Sequence, residues 1–146
     1  MNATTQRPDL ALLALRAMAG VTLVFHGAQK LFGLFGGYGI EGTAQWMESI
    51  GIPFPVVSTV LAGSAEFVGG LAFLTGIYAR TLALPVAFTL LVGAFTAHSG
   101  FDVTKGGMEY PLVLATVALS IGLAGPGRYS LGQGRLELPV LRPQVA

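Results

Sequence analysis

The first long apolar run, LALLALRAMAGVTLVFHGAQKLFG from Leu10 to Gly33, constrains this chain more than any other feature. Its roughly 24 residues make a helix about 36 Å long, enough to cross the hydrocarbon of a bilayer and part of one interface. Yet it carries Arg16, His26, Gln29 and Lys30. At about 100° per residue, Lys30 falls about 40° from both His26 and Arg16, so the three cationic or titratable side chains share a sector of roughly 80°. A lipid-exposed arginine near mid-membrane costs about 2.5–3.5 kcal/mol even on the gentler insertion scale. That sector is therefore expected to face protein or a polar cavity.

Composition extends the argument to the whole chain. Of 146 residues, 53% are hydrophobic and 10% charged, well to the apolar side of a soluble domain. Further apolar segments follow at roughly 55–76, 81–98 and 108–125, separated by stretches rich in Gly, Pro or charge. The expected fold class is all-α: a bundle of four transmembrane helices, with no room for a soluble catalytic module. Residues 1–8 read as a short cytoplasmic N-terminus, 9–126 as one membrane domain, and 127–146 as an irregular cytoplasmic tail too broken by Gly and Pro for a fifth span. The opening MNATTQRPDL lacks the features of a cleaved secretory signal, so the first run is read as a retained span.

Local signals set the boundaries. Pro8 and Asp9 suit the opening turn of the first helix. Gly36, Gly37 and Gly39 loosen the chain before GIEGTAQWMESIGIP, expected to form a short interfacial helix with Trp46 either anchoring it at headgroup depth or covering a ligand pocket. Ser58, Ala62, Glu66 and Gly70 recur at i,i+4, a stripe of small residues interrupted by one carboxylate, which puts Glu66 on a packed face. Ala118 and Gly122 are a second close-approach pair. Arg7, Arg80, Arg128, Arg135 and Arg142 fall on the side of both termini and Lys30 and Lys105 on the other, which predicts cytoplasmic termini.

Several chemistries are excluded or demoted. The chain has no cysteine, so disulfides, thiol chemistry and Cys-ligated clusters are absent from it, and a redox role needs a diffusible or partner-held cofactor. A net charge of +1 provides no basic field for nucleic acid. No HExxH, phosphate loop or GxSxG elbow occurs. Two histidines and one or two carboxylates satisfy a metal-ligand count, and the histidines an axial haem count, but no compact ligand motif joins them.

The candidate binding residues are Arg16, His26, Lys30, Glu66, His98 and Glu109. Depths estimated from helical rise bring Arg16 and Glu66 to similar levels, so they are expected to form an ion pair. His26, Lys30, His98 and Glu109 are expected together near the outer interface, with Lys30 holding an anionic oxygen or pairing with Glu109. Imidazoles beside carboxylates move protons near neutral pH, and this set would suit a quinone headgroup or a small polar solute. The competing structural account is helix-end hydrogen bonding and snorkelling.

Arg16 followed by Gly20, FHGAQKLFG at 25–33, AEFVGG at 65–70, LTGIYART at 74–81, GGMEY at 106–110 and the closing GPGRYSL together resemble the DoxX family of small four-helix bacterial membrane proteins. The resemblance implies a membrane bundle sometimes attached to an oxidoreductase system; relatives look like parts of thiosulfate:quinone oxidoreductases or of complexes handling oxidative or thiol stress. It singles out Arg16, His26, Lys30, Glu66 and Glu109. The sequence departs from the usual family ending, since Gly132 stands where Asp commonly follows Ser-Leu. The function expected is a membrane subunit that binds a quinone-like ligand or positions a redox partner. The alternatives are a scaffold or accessory subunit of a larger membrane complex and, behind it, a small-solute transporter; the partners expected are the lipid bilayer, a redox protein or larger membrane complex, or further copies of the chain in a homo-oligomer.

Overall fold

The computed structural model describes residues 3–131 of the protein. Five α-helices succeed one another: α1 (Ala3–Phe32), α2 (Gly39–Ser49), α3 (Pro55–Thr75), α4 (Ala79–Ala97) and α5 (Glu109–Ala124), with single 3₁₀ turns at Leu34–Gly36 and Val103–Lys105. No strand occurs among the described residues. Three helical segments are long and apolar enough to cross a membrane, Pro8–Phe32, Pro55–Thr75 and Ala79–Ala97. The 16-residue α5 is shorter; at about 1.5 Å per residue it reaches about 24 Å, against a hydrocarbon core of about 30 Å.

The helix boundaries follow backbone chemistry, with one departure from expectation. Rather than opening at Pro8, α1 begins at Ala3 and contains Pro8. The proline ring removes only the bond its missing N–H would have made to the preceding turn, and the helix continues through that loss. Pro55 stands at the start of α3, where φ is already helical and the absent N–H is harmless. Gly76 ends α3 in the left-handed region at φ 78°, donating its N–H to the Ala72 carbonyl at 2.7 Å. The short turn after it forces α4 back alongside α3. The expected helix between the first two spans is present as α2, with Thr43, Ala44 and Met47 buried.

Glycines let α1 and α3 approach closely. A Cβ on Gly27 would lie 2.5 Å from the Phe67 nitrogen, and one on Gly70 would lie 2.7 Å from the Val24 nitrogen and 2.8 Å from the Gly20 carbonyl oxygen. These contacts set an antiparallel register in which residues 20, 24 and 27 of α1 face 74, 70 and 67 of α3. In lipid the gain from such contacts is dispersion between surfaces, because hydrocarbon outside is as apolar as the helix face. Gly122 meets Ala83 in the same manner between α5 and α4, and Ala118 is fully buried.

The core is small-residue rich, with Leu23, Phe73, Val86 and Ile121 as its bulky members. Large apolar side chains instead look outward: Met18, Leu84, Phe88 and Leu123 are each about two-thirds exposed or more. Such an exterior is stable only against lipid.

After α5 the chain folds back as a strap across the end of the bundle where α3 stops and α4 starts. The Arg128 N–H donates to Asp9 Oδ1 at 3.1 Å, Arg16 Nη2 donates to the Tyr129 carbonyl at 2.6 Å, and the Leu131 N–H donates to the Thr75 carbonyl at 2.9 Å. The irregular tail expected beyond this strap, from residue 132 onward, lies outside the described residues.

Candidate ligand-binding cavity

Four of the six candidate residues meet at one cavity. His26 and Lys30 from α1, Glu66 from α3 and His98 at the end of α4 line a space of about 410 Å³, together with Trp46 of α2 and Tyr110 of α5. One helical turn separates His26 from Lys30, which is why both side chains leave α1 on the same face. The i,i+4 stripe on α3 delivers Ser58, Ala62 and Glu66 to the same wall. Leu23, Leu90 and Leu114 supply apolar lining, and Ile50 and Ile52 follow α2 along its edge. Apolar walls with a few convergent polar groups are the usual make-up of a small-molecule site.

The strongest polar contact is the ion pair between Lys30 Nζ and Glu66 Oε2 at 2.5 Å. The Glu66 side chain is 6% exposed and that of Lys30 24%, so the carboxylate is the more deeply held partner. A buried carboxylate without a counter-charge would be costly, and Lys30 supplies that charge through a charge-assisted hydrogen bond.

The expected Arg16–Glu66 pair does not form. The register set by the α1 and α3 glycines puts Glu66 level with the Ala28 region, about 12 residues or 18 Å along the helix from Arg16. The first turns of α1 project past the end of α3, so depths measured from the two helix ends had different origins. Arg16 is fully buried at the opposite end of the bundle, holding the Tyr129 carbonyl and packed against Gly76. It does not line the cavity.

Glu109 is also elsewhere. Its Oε2 accepts the Val103 N–H at 3.2 Å, fastening the loop between α4 and α5, and it does not line the cavity. The expected option of a Lys30–Glu109 pair is therefore replaced by Lys30–Glu66. In that loop Asp102 accepts from the Thr104 hydroxyl at 2.7 Å and the Thr104 N–H at 3.0 Å. These bonds, the hydroxyl's first, hold the Asp102 carboxyl below its ordinary pKa.

Both histidines are oriented through Nδ1. His98 Nδ1 lies 2.9 Å from the Gly93 carbonyl, which can only accept, so Nδ1 carries the proton and Nε2 of the neutral ring is an acceptor. His26 Nδ1 lies 3.1 Å from Gln29 Oε1, while Gln29 Nε2 donates to the Phe35 carbonyl at 3.4 Å, which gives His26 the same tautomer. The His26 ring also stands edge-on to Phe25 and 6.5 Å from the Tyr110 ring centre. Among the described residues no three His, Asp or Glu side chains are grouped as metal ligands.

Tyr110, Met47 and Gly93 had no place among the candidate binding residues read from the sequence, yet all three line the cavity. Met47 is buried and its Sδ accepts from the Thr59 hydroxyl at 3.4 Å, holding α2 against α3. The available signal was positional: Met47 lies beside Trp46 on a short helix between two spans, and Gly93 sits five residues before His98.

Comparison with known proteins agrees with this architecture. The DoxX family profile matches residues 11–99. The chain is 33% identical to the inner membrane protein YqjF of Escherichia coli over 84% of its own length and 90% of the relative's. It is 28% identical to the E. coli inner membrane protein YphA over 86% of its length and 89% of that protein. A third relative, named "Putative oxidoreductase CatD" in Bacillus subtilis, is 27% identical over 80% of this chain and 81% of that one. No solved structure gives a significant match. With the family profile spanning α1, α2, α3 and α4, this chain is a multi-pass inner-membrane protein that belongs to the DoxX family.

Proposed function

We propose that the protein is the membrane subunit of an oxidoreductase system and that its cavity holds a quinone-like headgroup. The observation that carries this reading is the Lys30–Glu66 pair set in an apolar cavity with His26, His98 and Tyr110. Paired, the two charges cancel, so the cavity is matched to an uncharged ligand with hydrogen-bonding oxygens. Lys30 has two further N–H bonds with which to hold a carbonyl oxygen, and the histidine Nε2 atoms can accept from a hydroxyl. Reduction of a quinone takes up protons, and imidazoles at the headgroup are suited to relay them. With no cysteine and no redox cofactor motif, the chain's own share is binding and proton handling, while a partner protein carries the electrons. The relative named as an oxidoreductase is in keeping with this division.

In this reading α5 is the fourth span, shortened because it starts below the Gly100–Gly107 loop. Both termini lie in the cytoplasm, since Arg80 and Arg128 gather at the strap end and Lys105 at the cavity end. The cavity then opens near the outer leaflet.

The single tryptophan, Trp46, lines the cavity and reports on it directly. Titrating detergent-purified protein with a tailless benzoquinone is expected to quench Trp46 fluorescence saturably. His26→Leu is expected to weaken that binding about 3- to 10-fold, the worth of one hydrogen bond. Unquenched Trp46 at saturating benzoquinone, in protein shown to be folded, would sink the proposal.

A further inference from the structure

We infer that the cavity opens sideways into the bilayer through the seam between α3 and α4, and that its ligand is an amphiphile whose apolar tail lies in that seam. This rests on the headgroup reading above and specifies how the ligand enters and which class it belongs to. The two helices touch where a Cβ on Gly69 would overlap the Val86 side chain. Antiparallel register from that contact sets Glu66 level with Thr89, and Ala62 level with Gly93, within the length over which both helices line the cavity. At that level Gly93 lines the cavity and a Cβ on it would meet no atom within 4 Å, so the space beside α4 is open there.

The rim of this opening is apolar and faces lipid. Leu61 on α3 is 65% exposed and Phe88 on α4 is 70% exposed, yet both also line the cavity, as does Val92. Leu61 and Phe88 each turn one side to the outer surface and another to the cavity, so only side chains of this rim stand between the cavity and lipid there. Behind this rim stands the Lys30–Glu66 pair, so one path runs from hydrocarbon to polar groups. A purely aqueous ligand would have no use for such a rim. A tail already dissolved in lipid gains little by moving into an equally apolar seam, so binding strength comes from the headgroup and the seam serves as the route of access.

The test uses full-length protein in lipid nanodiscs and a quinone analogue with a short isoprenoid tail ending in a photoreactive diazirine. Illumination is expected to label residues 58–62 of α3 and 88–96 of α4. Gly93→Phe, whose Cβ has free space and whose helix loses a glycine, is expected to fold and to reduce that labelling at least about tenfold by filling the seam. Labelling confined to α2 or to residues 50–54 would overturn the lateral route, as would undiminished labelling in Gly93→Phe. If a tailless benzoquinone quenches Trp46 while the tailed analogue labels neither helix, the lateral route fails and the headgroup site stands. If neither compound quenches Trp46 or labels the protein, both fail.

Discussion

Lys30 and Glu66, 36 positions apart in sequence, form a 2.5 Å ion pair across the α1/α3 interface, and the carboxylate is the more buried of the two. That asymmetry makes the two single substitutions unequal. Lys30→Met leaves a buried carboxylate without a counter-charge and is expected to destabilise the bundle by about 3 kcal/mol. Glu66→Gln leaves a lysine that can reach toward the interface and is expected to cost about 1–2 kcal/mol. The double variant should lie closer to wild type than Lys30→Met does. Unfolding in mixed detergent, read by circular dichroism, measures all three.

Glu109→Gln separates loop from cavity. Since Glu109 fastens the Val103 N–H and not the ligand space, benzoquinone quenching of Trp46 is expected to stay within about twofold of wild type, below the effect of losing one hydrogen bond. A large loss of affinity would mean that Glu109 reaches the ligand.

Arg16 is expected to tolerate no replacement, lysine included. Its fully buried guanidinium holds the Tyr129 carbonyl through Nη2, and a lysine ammonium cannot reproduce the planar fork. Arg16→Lys should release the strap, seen as faster proteolytic cleavage within residues 125–131, while Trp46 quenching by benzoquinone persists.

Two glycines should respond oppositely to alanine. Gly27→Ala drives a methyl into the Phe67 backbone and is expected to cost about 1–3 kcal/mol. Gly93→Ala meets nothing within 4 Å and is expected to stabilise α4 by up to about 1 kcal/mol through helix propensity. Paired unfolding curves test the contrast.

The loop before α5 should loosen in acid. Its hydrogen bonds lower the Asp102 pKa in the folded loop, so their contribution is present above the ordinary carboxylate value and is lost as pH falls through the lowered one, below about pH 4. Amide exchange at Thr104 should accelerate across that window. In Asp102→Asn the acceleration should disappear.

Much of the architecture could be read directly from the residues. Runs of apolar length predict spans because a backbone in lipid must bond within its own helix, and Pro55, Gly76 and Gly125 mark ends because proline lacks a donor and glycine tolerates positive φ. The one-turn spacing of His26 and Lys30 placed both on one face of α1, and the i,i+4 stripe placed Glu66 on a packed face of α3, from helical geometry alone. Partner choice was another matter. Periodicity fixes the angle of a side chain about its own helix but not the axial offset between two helices, and here that offset is set by Gly20, Gly27 and Gly70 meeting the opposite backbone. The offset takes Arg16 to the strap and gives Glu66 to Lys30. In the same way, only the folded loop sends Glu109 to a backbone N–H, and only the packed bundle leaves open space beside Gly93. What the chain by itself determined was which helices enter the membrane and which polar side chains must be hidden there; where each hidden charge finds its partner was decided by how closely the backbones approach.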